Sequence, residues 1–418
     1  MTGPTRTILF FDHTAQWSGG EIALYNLLTH LDRARYTPLV LLASEGPLAE
    51  RLCAAGIETL VWPLSRSVVE ARKDSLGTGT LLKVRQAGLC LGYAARLARL
   101  ARQRQVALIH CNSLKSDLIG GLAARLAGRP CLWHVRDHIN AAYLPRRVAQ
   151  AFRALARHLP TGIIVNSAST LAELSQGRPL RFSAIAHDGV PPEAFEAPAR
   201  ADTPEPTGRP RVILVGRISP WKGQDVFIRA AAQLAQARTN ARFQIVGSAM
   251  FGEEEYARRL HRLVEETGVA EQVEFLGFRE DIPALLQAAE IVVHASTIGE
   301  PFGQVVIEGM AAGKPVIATD GGALREIVVS GTIEGPPTPG ETGLLVPMGD
   351  ANAMAAAIAA LLADPERSRA MGRAGRCRVQ QQFTISQTAR KVEAAFDRLL
   401  AGGPVPGDVS VAAQRAQE

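Results

Sequence analysis

Short apolar runs rich in β-branched residues alternate with Ala-, Leu- and Arg-rich helical patterns along nearly the whole chain. "TILFF" leads through a glycine turn into "EIALYNLLTHL". "TPLVLLAS" leads into "GPLAERLCAAG", and "VALIHCN" into "SDLIGGLAARLAG". "PCLWHV" and "TGIIVNS" read as further strands. Such alternation predicts βαβ units and a parallel sheet. Residues 191–210, "PPEAFEAPARADTPEPTGRP", hold six prolines and little apolar pattern, which predicts a linker. The alternation then restarts with the strands "RVILVGR", "ARFQIVG", "QVEFLGF", "AEIVVHAS" and "KPVIATD", separated by helical patterns such as "QDVFIRAAAQLAQA". The expected class is therefore α/β, with two tandem Rossmann-like doubly wound domains at 1–190 and 211–384. The stretch 80–105 reads as one long basic amphipathic helix. A helix near 385–400 could pack on either domain, and 401–418 reads as a frayed tail.

The chain's 418 residues suit two cores, and 47% hydrophobic content is enough to fill them. No apolar run reaches the roughly 18–20 residues of a membrane span. The start, "MTGPTRTILFF", has no signal-peptide layout, so a cytoplasmic protein is expected. Cys53, Cys90, Cys111, Cys131 and Cys377 form no CxxC pair and are odd in number, which argues against a disulfide framework. The formal charge of +6 is uneven. Residues 1–200 hold 24 Lys and Arg against 14 Asp and Glu; the remainder holds 22 against 26. A basic first half favours an anionic contact such as phosphate, lipid head group or nucleic acid.

Ligands of doubly wound sheets bind outside the carboxyl ends of the strands, and two such sheets facing each other would enclose a cleft. No G-x-G-x-x-G follows a strand. "GMAAGKP" lacks P-loop spacing and puts Pro315 where Ser or Thr would hold Mg²⁺, so neither a nicotinamide oxidoreductase nor a P-loop NTPase is expected. In "LVGRISPWKG", Arg217 and Lys222 share the loop after a strand. A guanidinium and an ammonium converging there would clamp a diphosphate and stabilise a leaving nucleoside diphosphate without metal. Gly19–Gly20 before "EIALYNLL" offers backbone N–H groups at a helix start. In "EPFGQVVIEGMAAGKP", Pro301 and Gly303 place Glu300 in a loop before a helix that carries Glu308. Eight residues of helix span about 12 Å, too far for the ~5 Å pair of a retaining glycosidase. The two glutamates suit separate groups of ligand hydroxyls, with the N–H groups of Phe302–Gln304 at the helix start. His134 ends the strand "CLWHV", Asp137 could orient it, and His138 follows at metal spacing if helical. No further ligands cluster there, so no metal site is expected.

The ordered set "GRISPWKG", "IVG", "FLGFREDIPALLQAAEIVVHAS", "EPFGQVVIEGMAAGKPVIATDGGALREIV" and "GETGLLVP" resembles the family 4 retaining glycosyltransferases of GT-B fold. The first half matches more loosely, through "GGEIALYNL", "HCNS", "WHVRD", "IIVNSAS" and "IAHDGV". The resemblance implies a nucleotide-sugar donor on the second domain, an acceptor on the first, and a C-terminal helix that returns to the first. It implies that Glu308 holds the ribose hydroxyls and Glu300 the donor sugar. Arg217 and Lys222 would hold the diphosphate, and Phe302, Gly303 and Gln304 would offer backbone N–H groups. Gly20 would approach the phosphates, with Gly247 also on the donor side. His134 would contact the donor sugar near its reacting face, and Gly19, His134 and Asp137 would line the acceptor side.

It further implies a UDP- or GDP-sugar as substrate, retention by front-face attack, and no metal or other cofactor. The acceptor would be a glycan or lipid-linked glycan of surface-polysaccharide assembly, with the basic half on an anionic membrane at the inner face of the plasma membrane, and no nucleic acid among the partners. A soluble enzyme on a small metabolite, an epimerase or phosphorylase relative, and a non-catalytic sugar-nucleotide-binding subunit are the alternatives. The sequence departs from the family between Ser330 and Glu341, where "GTIEGPPTPG" lengthens a loop.

Overall fold

The computed structural model describes residues 5–64, 80–196, 208–250 and 252–402. Contacts divide the chain into a first unit, up to Asp188 together with the segment from Ile385, and a second unit, Gly189–Thr384. The division falls a little before the proline-rich stretch. Its first residues belong to the second unit: Glu193–Glu196 form a helical turn, Val190 N–H donates to Phe383 O (2.9 Å), and Arg376 donates to Phe195 O (3.1 Å). Residues 197–207 and 403–418, most of the expected linker and tail, lie outside the described residues, as does 65–79.

The first unit's strands are β1 (Arg6–Asp12), β2 (Tyr36–Leu42), β3 (Glu58–Val61), β4 (Leu108–Cys111), β5 (Cys131–Val135), β6 (Gly162–Val165) and β7 (Ser183–Ile185). They lie in the order β3-β2-β1-β4-β5-β6-β7, all parallel. Both faces of the central strands are covered, so alternate residues enter different cores. Leu9, Phe11, Trp133 and Val135 enter one, with Ala94, Leu97 and Ala101 of helix Thr80–Gln103. Ile8, Phe10 and Leu132 enter the other, which the C-terminal helix Ile385–Leu400 closes with Val392, Phe396 and Leu399. The edge strands β3 and β7 are short and only half-buried, so they lack the apolar run that marks the others.

The second unit's strands are β8 (Arg211–Val215), β9 (Arg242–Val246), β10 (Val273–Gly277), β11 (Ile291–His294), β12 (Val316–Thr319), β13 (Ser330–Gly331) and β14 (Gly343–Val346). Their order is β10-β9-β8-β11-β12-β14-β13, again all parallel. In the middle of each sheet the order reverses, between β1 and β4 and between β8 and β11, and the second sheet turns back once more at its edge, where the short β13 lies outside β14. Doubly wound sheets place ligands outside the carboxyl ends of the strands at the central reversal. The long loop after β13 is stapled at its base. Glu341, nearly buried, takes Arg367 Nε (2.7 Å) and Nη2 (3.0 Å), and Arg367 also donates to Thr332 O (2.7 Å). Among the described residues no helix is long and apolar enough to cross a membrane.

Candidate functional site

In the second unit, β8 ends at Val215, and the loop carrying Arg217 and Lys222 is pinned from three sides. Ile218 N–H donates to Ser248 O (3.0 Å), buried Gln224 donates its amide to Arg217 O (2.9 Å), and Thr297 N–H donates to Trp221 O (2.8 Å). Pro220 opens a 3₁₀ turn, Pro220–Lys222, with its φ preset for it. Lys222 Nζ lies 4.2 Å from the Trp221 ring centroid and the Arg217 guanidinium 5.9 Å from it, so both cations border one indole. Gly247 follows β9 with φ +138.

Glu300 stands in the loop after β11. Lys222 Nζ is 3.0 Å from each of its carboxylate oxygens. Oε2 also takes His294 Nε2 (3.0 Å) and the Ser296 hydroxyl (2.9 Å). Burial alone would raise this carboxyl, but the Lys222 charge, the His294 hydrogen bond and the His294 and Lys222 interactions beyond it hold it well below the usual range. The backbone of Glu300 bridges to Gly322 and accepts Ala323 N–H (2.9 Å). Gly322 has φ +62, and a Cβ there would lie 2.1 Å from Glu300 O. That close approach explains the "GG" after β12: only a residue without a side chain lets the Glu300 loop close on it.

Gly303 caps helix Gln304–Ala311, which carries Glu308. Phe302 has its ring in the core against Phe383, with centroids 6.1 Å apart, so any ligand contact from it is left to its backbone. Burial pushes the half-buried Glu308 up to about 7, opposed only by a hydrogen bond from Gln304 Nε2 (3.1 Å). The structure thus ties Lys222 to Glu300 directly and gives Glu308 a separate setting. His294 and Ser296 escaped the sequence reading; their only signal was "HAS" at the end of an apolar strand, four residues before Glu300.

In the first unit the reversal point gathers Asp12 at the end of β1 with Asn112 and Ser113 after β4. Asp12 is fully buried and accepts His13 N–H (2.6 Å), Asn112 Nδ2 (2.7 Å) and Ser113 Oγ (2.8 Å). Burial works against its charge, but the bonds and charge of His13 with the Asn112 and Ser113 bonds hold its carboxyl below the usual range. Asn112 continues to Arg136, whose Nε pairs with Asp188 Oδ1 (3.0 Å). Helix Gly19–Thr29 starts at the expected pair, with open space where a Cβ of Gly19 or Gly20 would stand. Glu21 beside it bonds to the Ser18 hydroxyl, and burial followed by the charge of Asp12 raises it to about 7. An anion at this helix start therefore faces two acids that the expectation of an anion site did not include.

His134 and Asp137 differ from expectation. His134 is the fourth residue of β5 and wholly buried, under the face that Phe396 closes. Its Nδ1 lies 3.3 Å from His110 Nε2, and its Nε2 has no partner among the described residues. Burial, then the Arg136 charge, hold it well below the usual imidazole range. The ring expected to face a sugar is enclosed. Asp137 accepts from the Tyr143 hydroxyl (2.8 Å) rather than orienting His134, and His138 pairs with Glu173 (3.0 Å). The His134–His138 spacing is a strand and a loop, not one face of a helix. Among the described residues no three His, Cys, Asp or Glu side chains gather as metal ligands.

Residues 196–378 match the family described as Glycosyl transferases group 1, and residues 17–194 match Glycosyltransferase Family 4. The chain is 28% identical to the lipopolysaccharide core biosynthesis mannosyltransferase LpsB of Rhizobium meliloti, over 68% of this chain and 84% of that one. It is 32% identical to a GDP-mannose-dependent alpha-(1-6)-phosphatidylinositol monomannoside mannosyltransferase of Mycolicibacterium smegmatis, over 68% and 74%. Among solved structures, Anabaena HepE in complex with UDP and glucose superposes with a TM-score of 0.77 at 26% identity, covering 93% of this chain and 99% of that one.

Proposed function

The chain belongs to the family 4 glycosyltransferases of GT-B fold, and from that premise we propose that it moves a hexosyl group, with retention, from a UDP- or GDP-sugar to a hydroxyl of a lipid-linked glycan. The observation that carries the donor half is the Lys222–Glu300 pair at the β8/β11 reversal, in the loop that also holds Arg217. Arg217 and Lys222 stabilise the negative charge that grows on the leaving diphosphate, in the place where other enzymes put a metal ion. Glu300, kept ionised, accepts from sugar hydroxyls, and Glu308 accepts from the ribose. Backbone N–H groups of Phe302, Gly303 and Gln304 and the Gly247 turn complete the donor contacts. Gly20 approaches the donor phosphates, and Gly19 serves the acceptor half. His134 reaches a sugar only if the ring leaves its enclosure, so it is the weakest member of the set.

For the acceptor, the support is the charge of the first half and the names of the two mannosyltransferase relatives. Part of that charge is structural: Arg96 lies 3.9 Å over the Trp62 ring, and Arg104 Nη2 donates to both carboxylate oxygens of Glu58 (2.7 and 2.6 Å). Leu89 and Leu91 of the same helix are 40% and 54% exposed, apolar side chains that a membrane surface could cover.

A thermal-shift screen of EDTA-treated protein against UDP, GDP, UDP-glucose and GDP-mannose tests the donor. A ligand at 100 times its Kd adds about 2.7 kcal/mol. No shift with any of them sinks the reading, and shifts that need added Mg²⁺ or Mn²⁺ sink its metal-free part. Sedimentation with vesicles tests the acceptor setting. Binding that needs anionic lipid and fades with salt supports the membrane, and protein left in the supernatant at low salt favours a small soluble acceptor.

A further inference from the structure

We propose that His294, with Ser296, is the positioning residue that lets Lys222 be handed from Glu300 to the donor's diphosphate while Glu300 stays in place for the sugar. This rests on the reading of Glu300 as the sugar-binding carboxylate.

The geometry separates the two oxygens of Glu300. An ionised carboxylate carries no proton, so each neighbour must donate to it. His294 Nε2 (3.0 Å) and Ser296 Oγ (2.9 Å) both reach Oε2, so Nε2 is the protonated ring nitrogen. Oε1 is reached only by Lys222 Nζ (3.0 Å) among the described residues. Lys222 Nζ bridges both oxygens, but Oε2 keeps two donors that cannot leave when it does, because His294 and Ser296 sit at and just after the end of β11, a central strand. His294 is 4% exposed and Ser296 fully buried, and the Thr319 hydroxyl lies 3.4 Å from His294 Nδ1. Lys222 is the mobile partner: its side chain is 20% exposed and ends a flexible stem.

An arriving diphosphate brings more charge than one carboxylate and draws the ammonium away. If Lys222 were the only anchor, Glu300 would lose its orientation at the moment the sugar arrives. With Oε2 pinned by two donors, Oε1 is released toward the ligand at a fixed place. His294 therefore matters to ligands that carry a sugar and little to a free nucleoside diphosphate. A merely structural histidine would affect both alike.

The test is calorimetry of the wild type, His294→Ala, His294→Gln and Ser296→Ala with UDP, GDP, UDP-glucose and GDP-mannose. His294→Ala should weaken the sugar nucleotide by about 10–100-fold, the loss of one hydrogen bond to a charged group, and leave the matching diphosphate within about threefold. His294→Gln keeps an N–H donor and should recover most of the loss. Ser296→Ala should show the same split at smaller size, and it stands in should His294→Ala not fold. Equal losses on both ligands, no loss, or no rescue by Gln overturn the proposal. A wild type that binds none of the four ligands overturns the donor reading itself, a result distinct from binding that the variants leave unchanged.

Discussion

At the β1/β4 reversal of the first sheet and the β8/β11 reversal of the second, the chain gathers the same three side-chain types. In the first unit they are Asp12, His13 and Ser113; in the second, Glu300, His294 and Ser296. The topology that brings them there is the same through the first five strands of each sheet. The difference lies in what completes the cluster. Asp12 is fully buried, and Asn112 links it to a nearly buried Arg136–Asp188 pair; its ion partner His13 keeps 24% of its side chain in solvent, but the His13 N–H, the Asn112 amide and the Ser113 hydroxyl hold the carboxylate without that charge. Glu300 is completed by a lysine with a fifth of its side chain in solvent. One cluster is finished by the fold. The other is finished by a cation that a ligand can compete for, and it is the one suited to exchange a protein contact for a substrate contact.

The largest expected effect follows from that exchangeable cation. Arg217→Ala and Lys222→Ala should each lower kcat/KM by about 10²–10³-fold, as for removal of one charge-stabilising donor; Arg217→Ala should nearly keep the melting temperature, whereas Lys222→Ala should lower it, because Glu300 loses its cation. Steady-state kinetics beside a melting curve checks both halves. Normal turnover in both variants would break the comparison, because the exposed charges would then serve nothing the buried ones do not.

The sealed cluster should answer in stability. Asp12→Ala strands the His13 N–H, Asn112 amide and Ser113 hydroxyl, and should cost about 1–3 kcal/mol for each buried group left without a partner. The charge also sets a pH limb. The Asp12 carboxyl is held below its unfolded value near 3.8, so its contribution is present above that value and lost as pH falls through the lower folded one. Acid unfolding of Asp12→Asn should lack that limb. An unchanged acid limb and unchanged melting would show that the first cluster is not the structural one.

The same contrast explains how far the residues could be read from sequence. Arg217, Lys222 and Glu300 stood out in the sequence because charged side chains in glycine-rich loops have few structural uses, and Glu308 because it lies on the helix that follows; the pairing of Lys222 with Glu300 was not legible. Both doubly wound units were legible because parallel strands buried on two faces read as continuous apolar runs. That burial also misled at His134. The run "CLWHV" places Trp133 and Val135 on one face and Leu132 and His134 on the other, and nothing local says that the other face is capped by a helix some 250 residues away. Asp12 and His294 were missed for a related reason, since a polar residue closing an apolar strand looks like the strand's end. The short edge strands β3 and β7 carry too little buried pattern to announce themselves, and strand order is a tertiary fact that no local window contains.

The smallest expected effect sharpens the comparison, because each unit holds an acid poised at about 7: Glu21 in the first and Glu308 in the second. Both are raised above the ordinary 4.5, so the folded chain keeps protons that the unfolded chain releases between that value and about 7. Each therefore makes stability fall as pH rises through the window. Only Glu308 should add a pH dependence to donor binding. Ribose hydroxyls donating to it favour the carboxylate, so its proton leaves on binding and affinity rises with pH until the group is already ionised. For a sugar nucleotide, whose diphosphate does not titrate near neutrality, the affinity should rise by up to about tenfold between pH 6 and 8. Glu308→Gln should flatten that rise, whereas Glu21→Gln should keep it and alter only the stability profile. Calorimetry at several pH values on the three proteins decides. A rise that survives Glu308→Gln, or disappears in Glu21→Gln, would move the titrating contact to the first unit and undo the assignment of the ribose to Glu308.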